Sequence, residues 1–473
     1  MTDGRHQYIA GEWRASAGAE FIAVINPATG VIIAEATAGA VEDVDLAVTA
    51  ARMAQAGWAS TPLSERLGLL ERISAGIGTQ GEELATLITS EMGCPISFCR
   101  PAQIGLPMGD IAATLAAAGE MGDERLGRSL VQKDPVGVVA AITPWNFPLH
   151  QIIAKVGPAL AAGCTVVLKP SEVTPLDAAL LAQIIHDAGA PAGVFNLVIG
   201  GRETGEALVS HPGVDMVSFT GSTRGGRKVA EIAGRGLKKV ALELGGKSAN
   251  ILLEDADLEV AVPAALGQAF INSGQVCAAL SRLVVPRHRL ADVEAVALEA
   301  IKGWAPGDPT DPATRMGPLA HLGQQAQVRQ AVIGAQAQGA RLVAGGADQP
   351  EQTPSGAYVA ATILSDVLAT MDIARQETFG PVLTVETYAD EDEAVRIAND
   401  SDYGLSGGVW SADLDRAESV ARRLRTGQVI LNGAGLDLAA PFGGVRNSGL
   451  GRENGRYGLE EFIAPKAITR PQG

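Results

Sequence analysis

Between residues 136 and 223 the chain repeats one pattern four times, a short apolar run closed by polar or glycine punctuation. Residues 136–142 end in Thr143-Pro144-Trp145-Asn146-Phe147-Pro148, and residues 164–168 end in Lys169-Pro170-Ser171-Glu172. Residues 194–199 run into Gly200-Gly201, and residues 215–219 into Thr220-Gly221-Ser222-Thr223. Helical patterns over 175–188 and 204–209 separate the runs. Apolar strands alternating with helices predict parallel βαβ units buried on both faces. In such sheets ligands bind beyond the carboxyl ends of the strands, so the punctuation segments predict a binding site.

The surrounding chain fits an α/β protein of more than one domain. Its 473 residues allow roughly two to four domains. Residues 7–34 read as short strands broken by turns. From Glu42 onward Val44, Ala47, Ala51, Ala54 and Trp58 recur at helical spacing. Helices are expected through 64–87 and over 112–118, with the proline-containing segment 95–107 breaking the pattern. Residues 128–135 read as an extended arm. The second half repeats strand and helix patterns from Val293 to Trp410 and reads as a second α/β domain. Residues 463–469 alternate weakly, as an edge strand in need of a partner does.

Charge and cysteine usage narrow the function classes. Lys and Arg number 37 against 53 Asp and Glu, a net charge of -16. Such a surface repels phosphate backbones and anionic lipid, which excludes nucleic acid and membrane as expected partners. The one long apolar stretch, 260–281, contains Pro263, Gln268, Asn272, Ser273 and Gln275 and reads as a core helix followed by a loop. Four irregularly spaced cysteines (94, 99, 164 and 277) form neither a disulfide framework nor a zinc motif. No metal is expected, and a reducing, cytoplasmic setting fits. Met1 to His6 show no basic-then-apolar leader.

Within this frame Asn272-Ser273-Gly274-Gln275-Val276-Cys277-Ala278 places one thiol just past a glycine. Glu243-Leu244-Gly245-Gly246-Lys247 lies upstream. A thiol with a carboxylate able to move its proton is the minimum for acyl chemistry at sulfur. Cys277 is therefore the candidate nucleophile and Glu243 its proton acceptor. His150, the histidine nearest such a motif, reads as a packed helix residue.

Seven motifs taken together resemble the NAD(P)-dependent aldehyde dehydrogenase family: residues 143–148, Lys169-Pro170-Ser171-Glu172, Phe219-Thr220-Gly221-Ser222, residues 243–247, Gly274-Gln275-Val276-Cys277, Glu377-Thr378-Phe379-Gly380-Pro381 and Pro441-Phe442-Gly443-Gly444. The resemblance implies a Rossmann-type cofactor domain (1–118 and 137–244), an α/β catalytic domain (245–445) and a small β oligomerisation arm with a C-terminal strand (119–136 and 446–473). It implies a homodimer or homotetramer and oxidation of a small-molecule aldehyde through a thiohemiacetal and a thioester on Cys277.

Further roles follow from the same resemblance. The Asn146 amide and the Cys277 backbone N–H would hold the oxyanion, and Glu243 would activate water. Thr143, Pro144, Trp145, Lys169, Ser171, Glu172, Thr220, Gly221, Ser222, Glu377 and Phe379 would bind the dinucleotide. Glu172 favours NAD, with NADP possible, because a carboxylate repels a 2′-phosphate. Phe147, Ala154, Val276, Ala278, Leu436 and Phe442 would line the substrate pocket. Ala154 and Leu436 stand where many relatives carry aromatic residues, so a wide apolar tunnel for a bulky aldehyde is expected. Two alternatives are an acylating enzyme that delivers the thioester to coenzyme A, against which Glu243 argues, and a non-catalytic binding member of the same fold.

Overall fold

The computed structural model describes residues 6–471. The leader reading of residues 1–5 and the last two residues of the C-terminal arm lie outside the described residues.

The chain opens with two hairpins, β1 (His6–Ile9) with β2 (Glu12–Ala15) and β3 (Phe21–Ile25) with β4 (Ile32–Thr37). In α1 (Val41–Ser60) the expected face is buried at Val44, Ala47, Ala51 and Trp58. Helices α2 (Leu63–Thr79) and α3 (Gly81–Met92) follow. The segment 95–107 does not break the helical pattern as expected. Instead α4 (Ile96–Phe98) passes through a π-helical turn, Cys99–Ile104, into α5 (Gly105–Glu120). Pro95 precedes α4, whereas Pro107 lies just past the wide turn, inside the continuous helical run 96–120. Pro101 falls within the wide turn itself.

Next come β5 (Glu124–Leu126), β6 (Ser129–Pro135), β7 (Val138–Ile142), α6 (Pro148–Ala162), β8 (Thr165–Lys169), α7 (Leu176–Asp187), β9 (Phe195–Leu197), α8 (Arg202–Ser210), β10 (Met216–Thr220), α9 (Thr223–Arg235) and β11 (Lys239–Glu243). Strands β11-β10-β7-β8-β9 are parallel in that spatial order, and β1-β2 continue beyond β9. The chain runs from β7 outward through β8 to β9, then returns to the other side of β7 with β10. That reversal opens a crevice between the carboxyl ends of β7 and β10. Val139, Ala141, Val166 and Leu168 fill one face of the sheet while Val138, Ala140, Ile142 and Val167 fill the other. Each large aliphatic side chain so buried contributes about 1.5–3 kcal/mol, and strands covered on both faces therefore read as unbroken apolar runs.

A second sheet contains β12 (Ala249–Leu252), β13 (Arg282–Pro286), β14 (Arg341–Ala344), β15 (Thr362–Ser365), β16 (Val382–Tyr388), β17 (Gly407–Trp410) and β18 (Ile430–Leu431), ordered β14-β15-β16-β13-β12-β17-β18. Helices α10 (Leu258–Phe270), α11 (Leu290–Ala300) and α12 (Leu322–Ala337) belong to this half. The short strand β19 (Gly449–Leu450) then pairs with β11, so the chain rejoins the first sheet near its end. Strand β20 (Ile463–Thr469) finds the partner its pattern requires. It pairs antiparallel with β6 along its whole length, and β5 completes a three-stranded sheet with β20 on its edge.

Segments leaving the carboxyl ends of β7, β10 and β11 line one cavity with segments that precede β13 and β16. No helix among the described residues is long and apolar enough to cross a membrane.

Candidate active site

Three of the four cysteines, Cys94, Cys99 and Cys164, are buried, whereas Cys277 is partly exposed. It lies between α10 and β13, after an unusual turn. Asn272, Ser273 and Gly274 have φ of 52°, 57° and 72° in succession, a run of left-handed backbone that ends α10 and redirects the chain. A Cβ on Gly274 would stand 2.2 Å from the Gly380 carbonyl oxygen, so this position accepts only glycine. The apolar stretch 260–281 is thus a helix ending in a sharp turn, as expected.

Asn146 follows β7 and is buried. Its backbone carbonyl accepts from Gln103 Nε2 at 3.0 Å and from Asn272 Nδ2 at 2.9 Å. Its side-chain Nδ2 donates to the Gln275 carbonyl at 2.9 Å, which leaves the second N–H of that amide free. The Gln275 side chain accepts from the Ala320 N–H at 2.9 Å. The thiol loop and the Asn146 amide are therefore locked to one another, and the backbone N–H of Cys277 has no hydrogen-bond partner among the described residues.

Glu243 is the last residue of β11, in register with Thr220 on β10. It is 5% exposed, and neither carboxylate oxygen has a hydrogen-bond partner among the described residues. Burial raises its pKa well above the ordinary carboxylate value, and the Glu453 carboxylate adds to that, while Lys155 and Arg452 oppose it. Lys155, on α6, donates from Nζ to Thr220 Oγ1 at 2.6 Å and pairs with Glu453. The Cys277 thiol is pushed up to about 12, first by burial and then by the charges of Glu243, Glu377 and Glu453.

A cavity of ≈ 310 Å³ joins Cys277, Glu243, Asn146, Pro144, Trp145, Thr220, Gly221, Ser222, Glu377 and Phe379. A second, of ≈ 480 Å³, is lined by Thr143, Lys169, Ser171, Glu172, Thr220 and Ser222 among others. Thr220 and Ser222 border both, so the two form one trough across the crevice of the parallel sheet. Its features fit a dinucleotide. Ser222 caps α9, its Oγ accepting from the Gly225 N–H at 3.1 Å, and presents a helix N-terminus to an anionic group. Lys169 Nζ donates to the carbonyls of Pro170 and Gly200 at 2.7 and 2.6 Å, and Glu172 lies 3.8 Å from it at the rim. Burial lowers the Lys169 pKa, with Glu172 opposing. The buried hydroxyl of Thr143 has no hydrogen-bond partner among the described residues.

At the far end Glu377 Oε1 accepts from the Gly246 N–H at 3.1 Å. A Cβ on Gly245 would come within 2.0 Å of Glu377 Oε2, so the glycine pair lets this carboxylate approach. Burial pushes Glu377 up to about 7, against the Gly246 N–H and Lys247. Phe379, at φ 53°, meets Trp145 edge-on with ring centroids 5.4 Å apart.

The residues expected to line the substrate pocket lie outside this trough. Phe147 and Ala154 are buried on or beside α6, Val276 and Ala278 flank the thiol, and Phe442 exchanges backbone hydrogen bonds with Glu453. Leu436 stays 42% exposed on the loop after β18. Sequence reasoning missed Lys155, Glu453 and Gln324, whose amide donates to the Phe379 carbonyl at 2.9 Å. Lys155 carried a signal, a lysine amid the apolar face of a helix. Glu453 carried none, since only the fold returns it to Glu243.

A thiol, a carboxylate and a carboxamide at the carboxyl ends of a doubly wound parallel sheet are what an oxidoreductase working through sulfur and a dinucleotide requires. The chain belongs to the aldehyde dehydrogenase family, whose model matches residues 13–468. It is 49% identical, over the full length of both chains, to a 3-succinoylsemialdehyde-pyridine dehydrogenase of a Pseudomonas species. It is 42% identical, over 98% of both chains, to the geranial dehydrogenase of Castellaniella defragrans. Among solved structures it is similar to a mutant aldehyde dehydrogenase C of Pseudomonas syringae in complex with NAD+ and octanal, with a TM-score of 0.98 and 46% identity, covering 99% of this chain and 97% of that one.

Proposed function

We propose that this enzyme oxidises a bulky, largely apolar aldehyde to its carboxylic acid with NAD. The observation that carries the reading is the convergence of Cys277, Glu243, Asn146 and Glu377 on one trough. Burial and the charges of Glu243, Glu377 and Glu453 hold the Cys277 thiol well above its ordinary pKa, in its neutral form at neutral pH. Attack on the aldehyde carbon must therefore be coupled to proton removal. Glu243 has two unpartnered oxygens and raised basicity, which suits it to accept that proton through a water. As the S–C bond forms, the Asn146 amide and the Cys277 backbone N–H stabilise the carbonyl oxygen, which becomes an oxyanion.

Bound NAD would supply the two-electron hydride acceptor, and loss of hydride from the carbon attached to Cys277 would leave a thioester there. Glu377, beside Gly245 at one end of the trough, would hold the nicotinamide ribose. Glu243 then removes a proton from water as it adds to the thioester. The carboxylic acid leaves and the Cys277 sulfur regains its proton. Thr143, Lys169, Ser171 and Ser222 would hold the adenosine and pyrophosphate portions, with Glu172 at the rim favouring NAD over NADP.

The names of the relatives above couple their activities to extended or ring-bearing aldehydes, which supports a bulky substrate. The exposed Leu126 and Ile468 and the free edge of β20 support assembly of 119–136 and 446–473 across subunits, as a homodimer or homotetramer, in a cytoplasmic enzyme divided at the boundaries expected from sequence. The test is NADH formation over a series from acetaldehyde to octanal and aryl-substituted aldehydes, with and without coenzyme A. The reading expects kcat/KM to rise with chain size and the free acid as product. Highest kcat/KM on acetaldehyde, or product only as the coenzyme A thioester, refutes it.

A further inference from the structure

The π-helical turn Cys99–Ile104 interrupts an otherwise α-helical run and has no part in the chemistry above. Such turns are rare, and they recur at functional sites. Pro101, exposed within the turn, cannot donate to a helical ladder and in a regular α-helix would clash with a carbonyl one turn back. Widening the turn relieves that clash and shifts the phase of the residues that follow by about one position, roughly 100°. Of the two long polar side chains in the turn, Arg100 is exposed and pairs with Glu82, whereas Gln103 is 0% exposed. Gln103 Nε2 donates to the Asn146 backbone carbonyl at 3.0 Å, joining residues 43 apart in sequence.

That carbonyl is held twice. A carbonyl oxygen can accept two hydrogen bonds, and Asn272 Nδ2 is the second donor at 2.9 Å. The Asn146 side chain is held as well, donating from Nδ2 to the Gln275 carbonyl at 2.9 Å. Asn272 and Gln275 both belong to the turn that carries Cys277, so their bonds tie Asn146 to the thiol and would move with it. Gln103 instead ties Asn146 to the helical run that continues into α5 and packs against α6. Stability does not ask for this residue. Burying an amide is costly unless its polar atoms are satisfied, and Gln103 Oε1 has no hydrogen-bond partner among the described residues. A methionine of similar volume would fill the space without that cost, and Asn272 would still satisfy the Asn146 carbonyl.

We infer that Gln103 is a positioning residue for the aldehyde oxidation: through the Asn146 backbone it fixes the direction of the amide N–H that meets the oxyanion. The inference rests on the proposed function and adds to it a residue that acts only through another. Donors aimed in advance stabilise developing charge because nothing has to reorganise when it appears. Without Gln103, Asn146 and the thiol turn keep each other but lose the helix that sets their joint orientation. Misplacing a catalytic group by about 1 Å costs roughly 10²-fold in rate. One restraint lost while two remain should cost less, about tenfold in kcat/KM for the aldehyde.

The experiment is a double-mutant cycle on the NAD-loaded enzyme: kcat/KM for octanal, from NADH formation, in wild type, Gln103→Met, Asn146→Ala and the double variant. Gln103→Met should lose about tenfold in the wild-type background. In the Asn146→Ala background it should lose less than about twofold, because the amide it aims is gone. NAD affinity, read by fluorescence quenching, should stay within about twofold of wild type in Gln103→Met. A role in packing alone gives the same loss in both backgrounds, and that result overturns the inference. So does an undiminished kcat/KM in Gln103→Met, or a loss of NAD affinity as large as the loss of kcat/KM. Thermal unfolding checks each variant; a Gln103→Met chain unfolded at the assay temperature also overturns it, since the amide then serves the fold and not the aim. In each of these cases aldehyde oxidation stands. No NADH from octanal or the aryl-substituted aldehydes with the wild-type enzyme overturns both.

Discussion

The substitution Asn146→Ala separates catalysis from scaffolding at this site because the two jobs belong to different atoms. The backbone carbonyl of Asn146 holds Gln103 and Asn272 at 3.0 and 2.9 Å, and alanine keeps that carbonyl. The side-chain amide makes one structural bond, to the Gln275 carbonyl at 2.9 Å, and offers its other N–H to the reacting oxygen. Truncation should therefore lower stability by about 1–3 kcal/mol, the cost of one buried acceptor left unpaired. Transition-state stabilisation should fall by about 10²–10³ in kcat/KM, the loss seen when one oxyanion donor is removed. The assay is steady-state NADH formation on octanal, together with NAD binding by fluorescence quenching and urea unfolding. NAD affinity should hold, because no atom removed faces the adenosine half of the trough. A loss of kcat/KM below tenfold, or one matched by an equal loss of NAD affinity, would show that Asn146 does not face the oxyanion.

Two further outcomes follow from buried carboxylates. Glu243→Gln removes the base for both proton transfers, so NADH formation in the first turnover and hydrolysis of the thioester should both slow, read by rapid quench. An undiminished first turnover would refute its part in the attack. In wild type the hydrolytic step needs ionised Glu243, whose pKa is raised by burial and Glu453. Its rate should therefore climb with pH beyond the ordinary carboxylate range, and a limb centred near 4.5 would contradict the assignment. At the start of α7, Asp177 is fully buried and pushed up to about 8, first by burial. A raised folded pKa means stability present below the unfolded value of 3.8 and lost as pH rises toward 8. Asp177→Asn should accordingly raise Tm by an increment that grows across that window, measured by calorimetry; a constant increment would be inconsistent.

The parallel strands were legible in sequence because burial on both faces writes itself as a continuous apolar run. The punctuation after β7, β8 and β10 was legible because loops at strand ends must be polar or glycine-rich to meet a ligand. Cys277 and Glu243 stood out through their neighbours, Gly274 and the Gly245-Gly246 pair, each of which the structure shows under a steric demand that excludes a Cβ. The segment 95–107 was misread because proline usually ends a helix, whereas here a π-helical turn over Cys99–Ile104 carries the helix past Pro101 and Pro107.

What sequence determined by itself, then, was local: element type, the positions of the strand ends, and which residues are candidates for the chemistry. Tertiary structure alone decided which of those ends face one another. Glu453 acts on Glu243 because β19 returns the chain to β11, and Asp110 reaches His150 because α5 lies along α6. Such pairs are joined through folded space and leave no spacing to read. A charge's effect falls with distance in the folded molecule, not along the chain.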